Sequence, residues 1–219
     1  MNNTFKLLVF DWDGTLMDSE AQIVASMNAA ITDLGLPILP HRTISNIIGL
    51  GLQEAINALL PGRDSEFHAR LVARYRHHFL FSTIAQAPLF EGAEQTLRTL
   101  HAAGYLLAVA TGKGRQGLDR VLADTGLQSL FHASRCADET SSKPHPQMLQ
   151  ELMEELDVAA DNTLMIGDTE YDLQMAINAG VGALGVSYGV HDDERLLQLE
   201  PLGLLHDIAQ LPDWLAQNH

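Results

Sequence analysis

The chain has 219 residues, 13 Lys and Arg against 28 Asp and Glu, and a net charge of −15. That length can bury a hydrophobic core without covalent staples, and that charge repels polyphosphate backbones and anionic membranes, so neither nucleic acid nor lipid is an expected partner. The single cysteine, Cys136, excludes an intramolecular disulfide and a Cys-rich zinc site, and the longest strictly apolar run, 105–110, is far short of the ~20 residues a membrane span needs.

In chain order, residues 6–10 form a short apolar run ending in Asp11. It is too short for a signal-peptide core, so the chain is expected to stay in the cytoplasm. From Ser19 to about Ile84 no strand pattern appears, only apolar residues at helical spacing: Ile23, Met27, Ala30, Ile31 and Leu34; Leu52, Ile56 and Leu59; Phe67, Leu71 and Phe79. The first of these opens with Ser19-x-x-Gln22, the spacing of a capping box. Pro88 and Gly92 then punctuate the chain, and alternation begins. Helical patterns over 94–103, 116–125, 147–156 and 172–179 interleave with apolar runs over 106–110, 163–166 and 182–186, and a weaker one over 133–136. Short continuous apolar runs are strands buried on both faces, and their alternation with helices predicts a doubly wound parallel α/β sheet. The helical stretch reads as an insertion: an α/β core of 1–16 and 88–219, and an all-helical cap of 17–87.

Functional groups of an open parallel sheet gather at the carboxyl ends of its strands. Those ends carry Asp11-Trp12-Asp13-Gly14-Thr15, Thr111-Gly112-Lys113, Ser142-Lys143-Pro144, and Gly167-Asp168 with Asp172 four residues on. Gathered carboxylates repel one another and call for a hard cation. Mg²⁺ suits a site that offers one or two carboxylates and shares the rest with water and phosphate. Asp172 has three open readings: a ligand through water, a partner that orients Lys143, or a complement to the next helix's dipole. Lys113 touches substrate or lies in solvent.

These segments, DWDGTLMDSE, TGKGRQGLDRVL, SKPHPQML and GDTEYDLQMAINAG, in this order and each behind an expected strand, carry a resemblance to the haloacid dehalogenase (HAD) superfamily. The chain is similar to its phosphoglycolate phosphatase-like members, with a helical cap after the first strand. The resemblance implies a Mg²⁺-dependent phosphatase of a small phosphorylated metabolite, phosphoglycolate among the candidates, acting as a monomer or homodimer. It implies Asp11 as nucleophile, Asp13 as general acid and base, and Thr111, Gly112 and Lys143 as the phosphate site. The metal would fall to Asp11, Asp13 and Asp168, with Asp172 less direct. Physical reasons stand beside it. A carboxylate approaching a phosphate meets a repulsion of about 4 kcal/mol per charge pair at ~4 Å and an effective dielectric near 20, which Mg²⁺ and Lys143 must offset. Asp13 shares a strand face with Asp11 if the strand continues through both.

The same resemblance sorts the other chemistries. Dehalogenases lack the second aspartate. Schiff-base phosphonate hydrolases need a cap lysine, and none stands between Lys6 and Lys113. Phosphosugar mutases of the β-phosphoglucomutase type need a cap cation, and the loop 48–52 has none, which leaves Arg42 and Arg63, or a funnel including Arg70, Arg74 and Arg76, as the route to that alternative. A non-catalytic Mg²⁺-binding regulatory module would be expected to have lost a motif aspartate.

Overall fold

A computed structural model describes residues 5–81 and 87–218. Six parallel strands form one sheet: β1 (Leu7–Phe10), β2 (Leu106–Thr111), β3 (Ala133–Cys136), β4 (Thr163–Gly167), β5 (Gly182–Val186) and β6 (Leu204–Leu205), in the order β3-β2-β1-β4-β5-β6. β1 is central and the strand order reverses across it, so the crevice of a doubly wound sheet opens at its carboxyl end. The two-residue β6 is too short to leave a sequence pattern.

All four residues of β1 are fully buried, and their alternation assigns them to two cores. Leu8 and Phe10 face a cluster with Leu97 and Leu100 of α5 (Ala93–Ala102), Leu118 and Leu122 of α6 (Arg115–Thr125) and Leu215 of the C-terminal helix (Leu211–Gln217). Leu7 and Val9 face Met148, Leu149 and Leu152 of α7 (Gln147–Leu156) and Leu173 and Ala176 of α8 (Glu170–Ala179). Helices thus cover both faces, which is why the strands carry no polar alternation.

Between β1 and β2 lie α1 (Glu20–Asp33), α2 (His41–Ser45), α3 (Leu52–Leu59) and α4 (Ser65–Phe81). They have a separate apolar cluster, in which Met27, Ile31, Ile44, Ile56 and Leu71 meet. The end of the helical stretch expected from sequence, residues 82–86, lies outside the described residues. No helix among the described residues is long and apolar enough to cross a membrane.

One expectation needs correction. Ser19 does stand at the start of α1, but it forms no capping box: its hydroxyl donates to Asp13 Oδ1 at 2.5 Å, and Gln22 reaches the Phe79 carbonyl at 3.5 Å. A buried carboxylate is the stronger acceptor and takes the hydroxyl. β1 itself ends at Phe10, but the Asp11 N–H still donates to the Ile166 carbonyl at 3.0 Å, and the tight turn comes at Gly14, whose N–H donates to the Met17 carbonyl at 2.9 Å. Trp12 is buried in the first core while Asp11 and Asp13 on either side of it both face the crevice, as alternation expects.

Leu71 is fully buried at the centre of the inter-strand helices. Leu71→Ala is expected to cost about 2–5 kcal/mol, read as a lowered urea midpoint; an unchanged midpoint would show that this cluster does not hold the helices.

Candidate active site

Four segments meet above β1. Asp11 follows β1, Thr111 closes β2, Lys143 stands in the loop between β3 and α7, and Asp168 follows β4. Lys143 is the pivot. Its ammonium is fully buried, 2.9 Å from Asp11 Oδ1 and 2.6 Å from Asp172 Oδ1. Burial works against its charge, but the carboxylates of Asp11 and Asp172 outweigh that and hold its pKa above the usual lysine value.

Each carboxylate is held by its own set of donors. Asp11 Oδ1 also accepts the Trp12 N–H at 2.6 Å. Asp172 Oδ2 accepts the N–H and the hydroxyl of Thr169 at 3.1 and 2.7 Å, which pins it at the start of α8. Asp168 accepts the Thr15 hydroxyl at 2.8 Å and the Val190 N–H at 2.9 Å. Gly14, with φ of +80°, makes room for it: a Cβ there would fall 2.1 Å from Asp168 Oδ2.

Asp11, Asp168 and Asp172 offer oxygens that all lie within 4.8 Å of one another. One lysine against three buried carboxylates is an unbalanced charge, and the titration of the cluster reflects it. Burial, with Asp172 and Asp13 adding to it against Lys143, pushes Asp11 up to about 7. Burial, Asp172 and Asp11 push Asp168 well above the usual carboxylate range. Among the described residues Asp11 Oδ2 is buried with no hydrogen-bond partner. An all-oxygen cluster with an orphaned anionic oxygen fits a hard divalent cation.

Asp13, expected among the metal ligands, has its carboxylate elsewhere. Its Oδ1 takes both the Ser19 hydroxyl and Lys113 Nζ, the latter at 2.9 Å, and it lines the crevice instead of joining the triad. Asp172, expected to be the more remote, is the third carboxylate of the cluster and orients Lys143 as well. Thr111 is buried, and its oxygen accepts the Lys113 N–H at 3.2 Å. Lys113 is not in solvent: its side chain is 7% exposed and its ammonium stands 4.6 Å from the centre of the Phe79 ring.

The helical segment closes over this edge through the loop between α2 and α3. A Cβ on Gly112 would fall 2.5 Å from the Leu50 carbonyl oxygen, so only glycine permits the approach. The Gly51 N–H donates to Ser142 beside Lys143 at 2.7 Å. Arg42 pairs instead with Asp192 at 3.1 Å and Arg63 lies over Phe67; neither lines the crevice, whereas Arg76 does. Ser19, Thr15 and Thr169 are site residues that motif reading gave no role. All three lie within the quoted motifs, Thr15 and Ser19 in DWDGTLMDSE and Thr169 in GDTEYDLQMAINAG.

Comparison with known proteins agrees with this geometry. The family model of the haloacid dehalogenase-like hydrolases matches residues 8–186. A curated relative from Dickeya dadantii, named probable phosphatase IndB, is 38% identical over 210 residues, covering 94% of this chain and 91% of that one. A phosphoglycolate phosphatase of Vibrio cholerae is 30% identical, covering 95% and 96%. The crystal structure of a predicted phosphoglycolate phosphatase from Haemophilus somnus superposes with a TM-score of 0.86 at 26% identity, covering 96% and 97%.

The raised values of Asp11 and Asp168 set a pH dependence for the cation-free protein. Folded, the two carboxyls keep protons that the unfolded chain has released above about pH 4, so their contribution to stability is complete below that pH and is lost as pH rises, for Asp11 through about 7. His191, held below its usual value by burial, opposes this only below about pH 6.5. Between pH 5 and 7, Tm of chelator-treated protein should therefore fall, since two carboxyls are raised against one lowered imidazole, and saturating Mg²⁺ should flatten the slope. A chelated Tm that is level or rising over that range would contradict the charge accounting.

Proposed function

The chain belongs to the haloacid dehalogenase-like hydrolases and is a phosphatase. From that premise we propose that it is a Mg²⁺-dependent phosphomonoesterase that hydrolyses a small phosphorylated metabolite through an aspartyl-phosphate on Asp11. The observation that carries the reading is the buried cluster of Asp11, Asp168 and Asp172 around Lys143, with one oxygen of Asp11 left without a partner. The same proposal assigns 1–16 and 88–219 to the catalytic core and 17–87 to a cap, and places the enzyme in the cytoplasm. Phosphoglycolate, which the names of several relatives give, is the first compound to assay.

Asp11, Asp168 and Asp172 would hold the cation, which when bound offsets negative charge on the phosphoryl oxygens and on the attacking carboxylate. Lys143 fixes Asp11 against rotation and supplies a second positive charge beside it. A carboxylate oxygen of Asp11 attacks phosphorus, the bond to the ester oxygen breaks, and Asp13 delivers a proton to the departing alkoxide. Thr111 accepts from the Lys113 N–H, which leaves its own hydroxyl proton to donate to a phosphoryl oxygen beside the backbone at Gly112. Asp13, now ionised and held by Ser19 and Lys113, takes a proton from the water that attacks the aspartyl-phosphate. Orthophosphate leaves and Asp11 is regenerated.

A mutase would need a cation for a second phosphate; Arg42 and Arg63 are engaged away from the crevice, which supports hydrolysis over that alternative. The presence of Asp11, Asp13 and Asp168 together argues likewise against a module that only binds.

Asp11→Asn should abolish phosphate release while leaving Tm close to wild type or higher; turnover above a few per cent of wild type would remove Asp11 as nucleophile. Asp13→Asn should slow release of aliphatic alcohols by about 10²–10⁴-fold and spare activated aryl phosphates, whose leaving groups need no proton. Equal losses on both would make Asp13 structural. Chelation should stop turnover, with Mg²⁺ restoring it and Ca²⁺, larger and looser in coordination, failing to; steady activity in excess chelator would refute metal dependence.

A further inference from the structure

The crevice above Asp11 continues into a cavity of about 330 Å³, within the ~300–1,000 Å³ range of small-molecule sites. At its floor are Asp11, Asp13, Gly112 and Lys113. The rest of the wall is built mostly from the inter-strand helices, and it is mostly apolar: Ile23 and Met27 from α1, Leu52 from α3, and Val72, Tyr75 and Phe79 from α4. Val72, Tyr75 and Phe79 stand at helical spacing on one side of α4, and the Tyr75 and Phe79 rings stack at 5.7 Å, so the wall is a continuous surface.

Two cations reach this wall. Lys113 is already paired with Asp13 at 2.9 Å and covered by the Phe79 ring. Arg76 is solvent-exposed and makes no ion pair among the described residues. A carboxylate in the cavity would have to pair with exposed Arg76 or draw Lys113 away from Asp13; held against Val72, Tyr75 or Phe79 it would remain unpaired, and an unpaired buried charge is strongly disfavoured. An apolar group would instead meet surface that is better removed from water.

We propose that the substrate is the phosphate monoester of a predominantly apolar alcohol, whose hydrocarbon body fills this cavity while the phosphate sits at Asp11. The inference rests on the phosphomonoesterase reading and narrows its substrate class away from small hydroxyacid phosphates. Leu52, Val72 and Phe79 are then specificity-determining residues.

The test is phosphate release from ethyl, butyl and hexyl phosphate, whose leaving groups are closely similar in acidity, alongside phosphoglycolate, all with saturating Mg²⁺. kcat/KM should rise about fourfold per added methylene, as burial of each CH₂ predicts, and hexyl phosphate should exceed phosphoglycolate. Leu52→Asn should flatten the chain-length series, mainly through KM. If that variant does not fold, calorimetric binding of ethyl and hexyl phosphonate to the wild-type enzyme reads the same cavity without turnover, and hexyl should bind the tighter. Release that is flat or falling with chain length, or fastest from phosphoglycolate, would overturn the inference and leave the phosphatase reading intact. Absence of release from every ester would overturn the functional reading, and this one with it.

Discussion

The arrangement on which the site depends is one buried lysine between two carboxylates. Lys143 sits 2.9 Å from Asp11 and 2.6 Å from Asp172, with its side chain out of contact with solvent. Removing ions from water is costly unless geometry and hydrogen bonds compensate. The compensation here is nearly complete: Thr169 serves Asp172, the Trp12 N–H serves Asp11, and Thr15 and the Val190 N–H serve Asp168. It fails at one atom, Asp11 Oδ2, and in one count, three carboxyl groups against one ammonium. Both deficits are of the kind that a divalent cation would make good.

That local deficit also bears on how a chain of net charge −15 can hold an anion. Distant carboxylates act through water and salt and are screened within roughly 8–10 Å. Inside the crevice the ammoniums of Lys143 and Lys113 are close and shielded from solvent, and a bound cation would join them. The helices inserted after β1 shape this environment. Their loop rests against Gly112 and Ser142, and Phe79 covers the lysine that holds Asp13, so the same segment encloses the polar floor and provides the apolar wall.

The sheet was legible in the sequence because a strand buried on both faces must be apolar at every position, and β1, β2, β4 and β5 are short apolar runs of that kind. Their carboxyl ends pointed to Asp11, Thr111 and Asp168 because parallel strands share one functional edge. Pairings between segments were not legible. Ser19 has the spacing of a helix cap, and only the fold shows Asp13 competing for its hydroxyl. Lys113 pairs with a residue 100 positions earlier, which no local pattern encodes. Alternation past Phe10 put Asp11 and Asp13 on one side, whereas the positive φ of Gly14 and its closeness to Asp168 are tertiary facts. Of the arginines before β2, composition could not separate Arg76, in the cavity wall, from Arg42, spent on Asp192.

The central claim is that Asp11 itself accepts the phosphoryl group. A single turnover with excess enzyme, quenched in acid within milliseconds and digested at low pH, can be analysed by mass spectrometry for acid-stable, base-labile phosphate. The account predicts phosphate on the peptide containing Asp11, at Asp11, appearing before free orthophosphate and missing from Asp11→Asn. Orthophosphate that appears at the full rate with no phosphorylated peptide, or with the label on any other residue, would contradict it.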